Sequence, residues 1–374
     1  MSSRFRLFDR TAVMGSGYIF AMVNRMQMLY YVLILPKHLV HPYMMAGILG
    51  VGFLSQINLL ILSKYLTSNY FVLGYHGFVQ LFSEKMVRFF AFLGIFFILM
   101  KVIVTTLGYV EIVHQFMFPS MKTNWLIFVL IASGFYIASQ GMEKTIRLSI
   151  IGFLATIWVI LVYIPYFMPP IAQTHHLYPL VPGEGLLHSW YGLLMVWSAL
   201  SGPEYLVCLG PWIGQKEKIL RGMSIGNALS VFEYLVLFAA CLLYYGSTYL
   251  EKISFPVVNM IRYLQSPVFE RVDIILISLN MIYFLYFIAL FLLCLYGAIR
   301  IAAGRININT NRKGFLVCVI AVFIGMLVIN GWYWREGQEL NVWMTLQLWL
   351  GAITYLLVPS VLAIAMKWKR GQSR

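Results

Sequence analysis

Asn24-Arg25-Met26-Gln27 and Ser201-Gly202-Pro203-Glu204 interrupt two long apolar stretches of this chain, the first and the sixth of ten. Polar and helix-breaking residues in mid-membrane are tolerated only where protein, a cavity or a ligand satisfies the freed backbone. A separation of five segments is what an inverted repeat of five helices produces, with the two broken helices meeting around a small-molecule site at the membrane midplane. The expected fold is therefore all-α: a polytopic membrane protein of ten transmembrane helices with a LeuT-type five-plus-five inverted repeat. Residues 11–170 would form the first repeat and 188–366 the second, within a single membrane domain over 1–374.

Composition sets the frame for this reading. The 374 residues are 61% hydrophobic and 11% charged, and the mean hydropathy is +0.81. Such a chain cannot bury its apolar surface in a water-soluble core. The expected spans are 12–35, 42–62, 88–110, 124–140, 149–169, 188–210, 224–246, 272–296, 315–330 and 342–365. Most reach the ~20 residues that cross a ~30 Å hydrocarbon core as helix. No alternation of apolar and polar residues suggests a β-barrel.

Lys and Arg orient the bundle. Alternate connections carry Arg4, Arg6 and Arg10; Lys64, Lys85 and Arg88; Lys144 and Arg147; Lys216, Lys218 and Arg221; Arg300, Arg305, Arg312 and Lys313; and Lys367, Lys369, Arg370 and Arg374. The opposite side holds only Lys37, Lys122, Lys252, Arg262, Arg271 and Arg335. The positive-inside rule places both termini in the cytoplasm. Because the net charge of +14 is spread over every inner connection, topology accounts for it and nucleic-acid binding is not expected. Trp125, Trp190, Trp212, Trp332, Trp334, Trp343 and Trp368 fall at span ends and are expected as interfacial anchors.

The start, Met1 to Arg6, runs into a full-length span without a small-residue cleavage site, so no signal peptide is expected to be removed. Cys208, Cys241, Cys294 and Cys318 lack CxxC spacing and are expected as packing residues, neither disulfide-bonded nor metal-binding. Residues 70–82 predict an interfacial helix on the inner face, and Val257 to Leu264, after Pro256, a short outer helix. The stretch 171–187, with Pro179, Pro182 and Gly183, predicts an irregular loop in which His175 and His176 are solvated.

Four ionisable residues lie inside the expected spans: Arg25, Lys101, Glu204 and Glu233. Each costs about 2.5 to 3.5 kcal/mol at a helix centre, so pairing or a cavity is expected. Arg25 and Glu204 sit at the breaks and are expected to face each other or a shared ligand. Lys101 and Glu233 are expected either as an interhelical staple or as functional groups. An α-amino acid offers one carboxylate and one ammonium, which an Arg, a Glu and unwound backbone hold through charge-assisted bonds. The candidate ligand-binding set is Asn24, Arg25, Gln27, Lys101, Ser198, Ser201, Gly202, Glu204 and Asn280. Asn280 enters as an intramembrane amide that needs partners. No nucleophile and base pair, HExxH motif or glycine-rich phosphate loop occurs, so neither an enzyme nor a cofactor nor a metal is expected.

Two blocks carry a family resemblance. Gly141-Met142-Glu143 with Arg147, and Phe255-Pro256 with Arg262 and Glu270-Arg271-Val272-Asp273, resemble the permease-like B-type subunits of bacterial spore germinant receptors. Leu35-Pro36, Gly202-Pro203-Glu204 and Gly210-Pro211 match as well, and the resemblance extends over the whole chain. It implies membership of the amino acid, polyamine and organocation superfamily. It further implies residence in the spore inner membrane, association with an A-type subunit and a C-type lipoprotein subunit, and sensing of a small, amino acid-like nutrient. The block from Phe255 to Asp273 would be the outer gate. The alternative is an amino acid or amine transporter, proton-coupled through Glu204 or Glu233. One departure stands out: Gln27-Met28-Leu29-Tyr30-Tyr31 is bulky where relatives carry small residues. That predicts a different ligand class or a cavity filled by the protein itself.

Overall fold

The computed structural model describes residues 7–178, 180, 189–214, 218–263, 271–306, 308–332, 334 and 341–372. Arg4, Arg6, Pro179, Pro182, Gly183, Lys216, Glu270, Arg335 and Arg374 lie outside the described residues. The described chain is helical, with one isolated bridge between Met14 and Ile213.

The first expected span is two helices, α1 (Ser16–Arg25) and α2 (Leu29–Leu39), bent by 51°. Then follow α3 (Met44–Leu66), two short helices α4 (Asn69–Val72) and α5 (Tyr75–Phe82), α6 (Glu84–Phe116), α7 (Thr123–Ser139) and α8 (Met142–Ile157), which continues as a 3-10 segment Trp158–Phe167. The expected sixth span is α9 (Ser189–Ala199) and a 3-10 segment Pro203–Trp212. α10 (Ile219–Leu250), α11 (Pro256–Arg262), α12 (Val272–Ala302), α13 (Arg312–Trp332) and α14 (Val342–Gln372) complete the chain. Among the described residues eight helices are long and apolar enough to cross a membrane, and the bent α1–α2 pair makes nine. The expected fourth span is α7, 17 residues long, at the short end of what spans a bilayer.

Both interruptions follow from local chemistry. In a continuous helix the amide of residue 203 would donate to the carbonyl of Ala199, but proline has no N–H. Gly202 leaves helical geometry at φ 148°, ψ −45°, a conformation that a side chain makes costly. The released Ala199 carbonyl accepts instead from the amide of Met28, 3.0 Å away in the other break. The two backbones touch so closely that a Cβ on Gly202 would lie 2.0 Å from the carbonyl oxygen of Met26.

The bulky first break is accommodated by a small partner. Tyr30 lies flat on Gly108 of α6, where a Cβ would come within 2.5 Å of its ring, and Tyr31 donates to the Met344 carbonyl at 2.8 Å. α12 is predominantly apolar and packs on α6, α7 and α8. Tyr109 of α6 stacks on Phe284 of α12 at 3.9 Å between centroids.

The two family blocks act as clamps at opposite ends. Glu143 accepts from the Thr11 amide at 2.9 Å and the Thr11 hydroxyl at 2.7 Å, while Arg147 pairs with its other oxygen at 2.6 Å. Met142 donates to the Leu7 carbonyl at 2.8 Å. The strap 7–14 is thereby tied under α8, and the Met14 amide bonds the Trp212 carbonyl at 2.8 Å. At the far end Arg271 grips Asp273 with two bonds of 3.0 and 2.8 Å and donates to the Phe116 carbonyl that ends α6. Phe255 packs edge-on against both Tyr30 and Phe116.

Some expectations change. Trp212 and Trp334 are buried and not interfacial: their indole N–H groups donate to the Asp9 carbonyl and to Glu111 Oε2. Glu111 is a further buried acid, because α6 runs to Phe116, beyond the expected end of the third span. His175 is exposed, but His176 packs at the Gly246 break in α10, with Nδ1 3.1 Å from the Leu243 carbonyl that this break releases.

Gly202→Ala is expected to destabilise the folded protein by roughly 2 to 4 kcal/mol, through a disfavoured φ and the contact with Met26. Thermal unfolding of the purified protein reads this directly, and an unchanged transition would show that the breaks do not touch.

Candidate functional site

The breaks bring together eight of the nine candidate residues in two polar clusters. At the first break, Asn24 donates to Ser230 Oγ at 2.8 Å and to Glu233 Oε2 at 3.1 Å, both on α10. Arg25 Nη2 lies 3.5 Å from Glu233 Oε1, and its guanidinium sits over the rings of Phe153 and Tyr283 at 5.3 and 5.6 Å. Gln27 accepts from the Tyr234 hydroxyl at 2.7 Å through its side chain. Its backbone carbonyl accepts from the Leu29 amide and from the Tyr283 hydroxyl.

At the second break Gly202 donates its amide to Glu204 Oε2 at 2.5 Å, so the residue after the proline folds back to cap the turn. Lys101 of α6 approaches Glu204 Oε1 to 3.7 Å and donates to Ser201 Oγ at 3.1 Å. Its ammonium also lies 5.1 Å from the Tyr205 ring and 5.7 Å from that of Phe291. Lys101 and Glu204 are each 1% exposed, whereas the Glu233 side chain is 18% exposed.

Direct pairing of Arg25 with Glu204, the first of the two expected arrangements, is corrected: the partners are exchanged. Arg25 pairs with Glu233 and Lys101 with Glu204, so the expected staple between Lys101 and Glu233 is replaced as well. The reason is helix placement. α10 packs along α1 and presents Ser230 and Glu233, one turn apart, to Asn24 and Arg25. Asn280 stands apart, half-buried on α12, and lines a small cavity with Leu33, Tyr109, Tyr163 and Asp273.

Several buried polar atoms at the breaks have no hydrogen-bond partner among the described residues: Asn24 Oδ1, Arg25 Nε and Nη2, Gln27 Nε2, Ser198 Oγ and Glu204 Oε1, two of which (Arg25 Nη2 and Glu204 Oε1) are held only by the longer ionic contacts above. Buried polar groups are ordinarily hydrogen-bonded, so a concentration of unpaired ones marks a place for a polar ligand or water. Gln347 on α14 joins them with an unpaired amide oxygen, and sequence reading passed over it. The available signal was a glutamine within the first turns of an apolar span. Ser230 had a similar signal, three residues before Glu233 and so on the same helix face.

Comparison with known proteins agrees with this architecture. A family model described as spore germination protein matches residues 44–332. The spore germination protein GerQB of Bacillus cereus is 22% identical over 250 residues, 67% of this chain, and the match spans 65% of that relative's length. The crystal structure of a manganese transporter from Eremococcus coleocola, in complex with an aromatic bis-isothiourea substituted compound, covers 95% of this chain and 76% of its own. Its TM-score is 0.53 and its identity 12%. The likeness is one of fold.

A double-mutant cycle tests the exchanged pairing. Coupling between Arg25 and Glu233 is expected at about 1 kcal/mol or more, and between Arg25 and Glu204 within ~0.5 kcal/mol of zero. Unfolding of the single and double alanine variants supplies both numbers, and the reverse order would restore the pairing that the sequence suggested.

Proposed function

This chain belongs to the spore germination protein family, and from that premise we propose that it is the membrane subunit of a nutrient germinant receptor. It senses a small, amino acid-like nutrient between its broken first and sixth spans and helps to trigger germination. Its bundle is the ten-helix, five-plus-five inverted repeat, with 11–170 and 188–366 as the two halves and both termini cytoplasmic. It works in the spore inner membrane beside an A-type subunit and a C-type lipoprotein subunit, and its activity is sensing, not catalysis.

The observation that carries this reading is the concentration of unpaired buried polar atoms where the two backbones meet. A ligand that satisfies them binds this closed arrangement better than one in which the breaks have separated. Such a difference in affinity is what biases a conformational equilibrium. The clamps at either end supply the second requirement, contacts that hold until a ligand shifts the balance: the Glu143 strap below and the Arg271–Asp273 clasp above.

The test is replacement of the native gene in its spore former by a Gln27→Leu variant, followed by germination on single nutrients. Loss of one buried hydrogen-bonding group is worth about 1 to 3 kcal/mol. The half-maximal concentration of one nutrient should therefore rise about five- to 150-fold, with the protein's abundance in spores unchanged. A deletion strain that germinates normally on every nutrient would remove the receptor reading.

A further inference from the structure

We propose that the ligand carries a primary ammonium group and that Lys101 is its tethered competitor, which holds Glu204 until the ligand takes it and then moves to a second seat beside Ser198 and Gln347. The proposal rests on the reading of the breaks as a ligand site and deepens it by naming the group that is recognised.

The pairing of Lys101 with Glu204 is loose in a specific way. Charge-assisted bonds between ammonium and carboxylate close to about 2.7 to 2.9 Å. Here Glu204 Oε2 is engaged by the Gly202 amide, while Oε1 has no hydrogen-bond partner and the Lys101 ammonium stops 3.7 Å from it. An ammonium has three protons to donate. Among the described residues, Lys101 donates a hydrogen bond to Ser201 Oγ.

Ser201 is also the link to the second seat. A Cβ on Gly351 of α14 would lie 2.7 Å from Ser198 Oγ, 3.1 Å from Ser201 Oγ and 3.4 Å from Gln347 Nε2. The backbone of α14 at this bare glycine therefore lies directly against both serine hydroxyls and the glutamine amide, and brings the three polar groups together. Ser198 Oγ and Gln347 Oε1 are buried there without a partner, their residues 0% and 2% exposed. Two idle acceptors next to a cation with idle donors describe one arrangement of a pair of states. In the other, the lysine stem swings over Ser201 and the ligand's ammonium fills Glu204 Oε1. No ion is then left without polar contacts in either state, which a low-dielectric site requires. A ligand lacking an ammonium finds Glu204 already held by Lys101.

The test is chemical rescue in the purified protein. Lys101→Met leaves the buried carboxylate unpaired, and methylammonium should stabilise that variant against heat in a saturable manner. Tetramethylammonium, which has no N–H, should not, and neither cation should rescue Lys101→Met/Glu204→Gln. Wild-type protein should bind methylammonium about tenfold or more weakly than Lys101→Met. Equal rescue by both cations, or rescue of the double variant, overturns the proposal. Gln347→Glu keeps Lys101 and covers the case in which Lys101→Met does not fold. A carboxylate at the second seat should draw the lysine away and tighten methylammonium binding about tenfold by calorimetry, and unchanged binding also overturns the proposal. Both measurements are made without germination. Failure of rescue in a protein whose nutrient response is intact removes this inference alone, and intact rescue without any germination role removes the receptor reading alone.

Discussion

A backbone hydrogen bond from the Met28 amide to the Ala199 carbonyl joins the two breaks of this protein. A bilayer offers no water to an exposed peptide group, so a helix that breaks inside it must find another donor or acceptor. Pro203 removes the N–H that would have served Ala199, and the first break leaves an amide without its helical carbonyl. Each break thus supplies what the other lacks. Gly202 makes the approach possible, since any larger residue would collide with Met26.

The charges are arranged around that junction. Two cations and two anions are distributed as Arg25 with Glu233 and Lys101 with Glu204, so each cluster is neutral where hydration is scarce. Buried pairs of this kind are poor sources of net stability, because desolvation offsets most of the attraction. Each ties a broken span to a long helix, α10 in one case and α6 in the other. Neither pair is closed to ideal geometry, and the unpaired atoms beside them leave both clusters able to exchange partners.

The bulky residues of the first break have a packing solution. Tyr30 fits because α6 has glycine at 108, and Tyr31 because a carbonyl of α14 accepts its hydroxyl. Above this layer Phe255 closes on Tyr30 and Phe116, and Arg271 fastens the end of α6 to the start of α12. Below it the strap 7–14 is held by Glu143 and by the backbone of Trp212. The blocks that carry the family resemblance are thus mechanical elements at the two ends of the bundle, and the polar clusters lie between them.

The sequence by itself determined that the chain is a helical membrane protein, that two of its apolar stretches are broken, and that Arg25 and Glu204 lie at those breaks. These follow from composition, from proline and glycine chemistry, and from the cost of charge in hydrocarbon, all of which act locally along the chain. The identity of each ion's partner was decided by the tertiary structure. Nothing in the spacing of Arg25, Lys101, Glu204 and Glu233 says which helix faces share a boundary, and the exchange of partners follows from α10 packing along α1. The same holds for Gln347 and Gly351, whose role exists only because α14 packs against the second break, and for Asn280, which the turn of α12 sends to a different cavity. Helix breaks are written in the residues that make them; which side chains meet there depends on the rotation and packing of helices far apart in sequence.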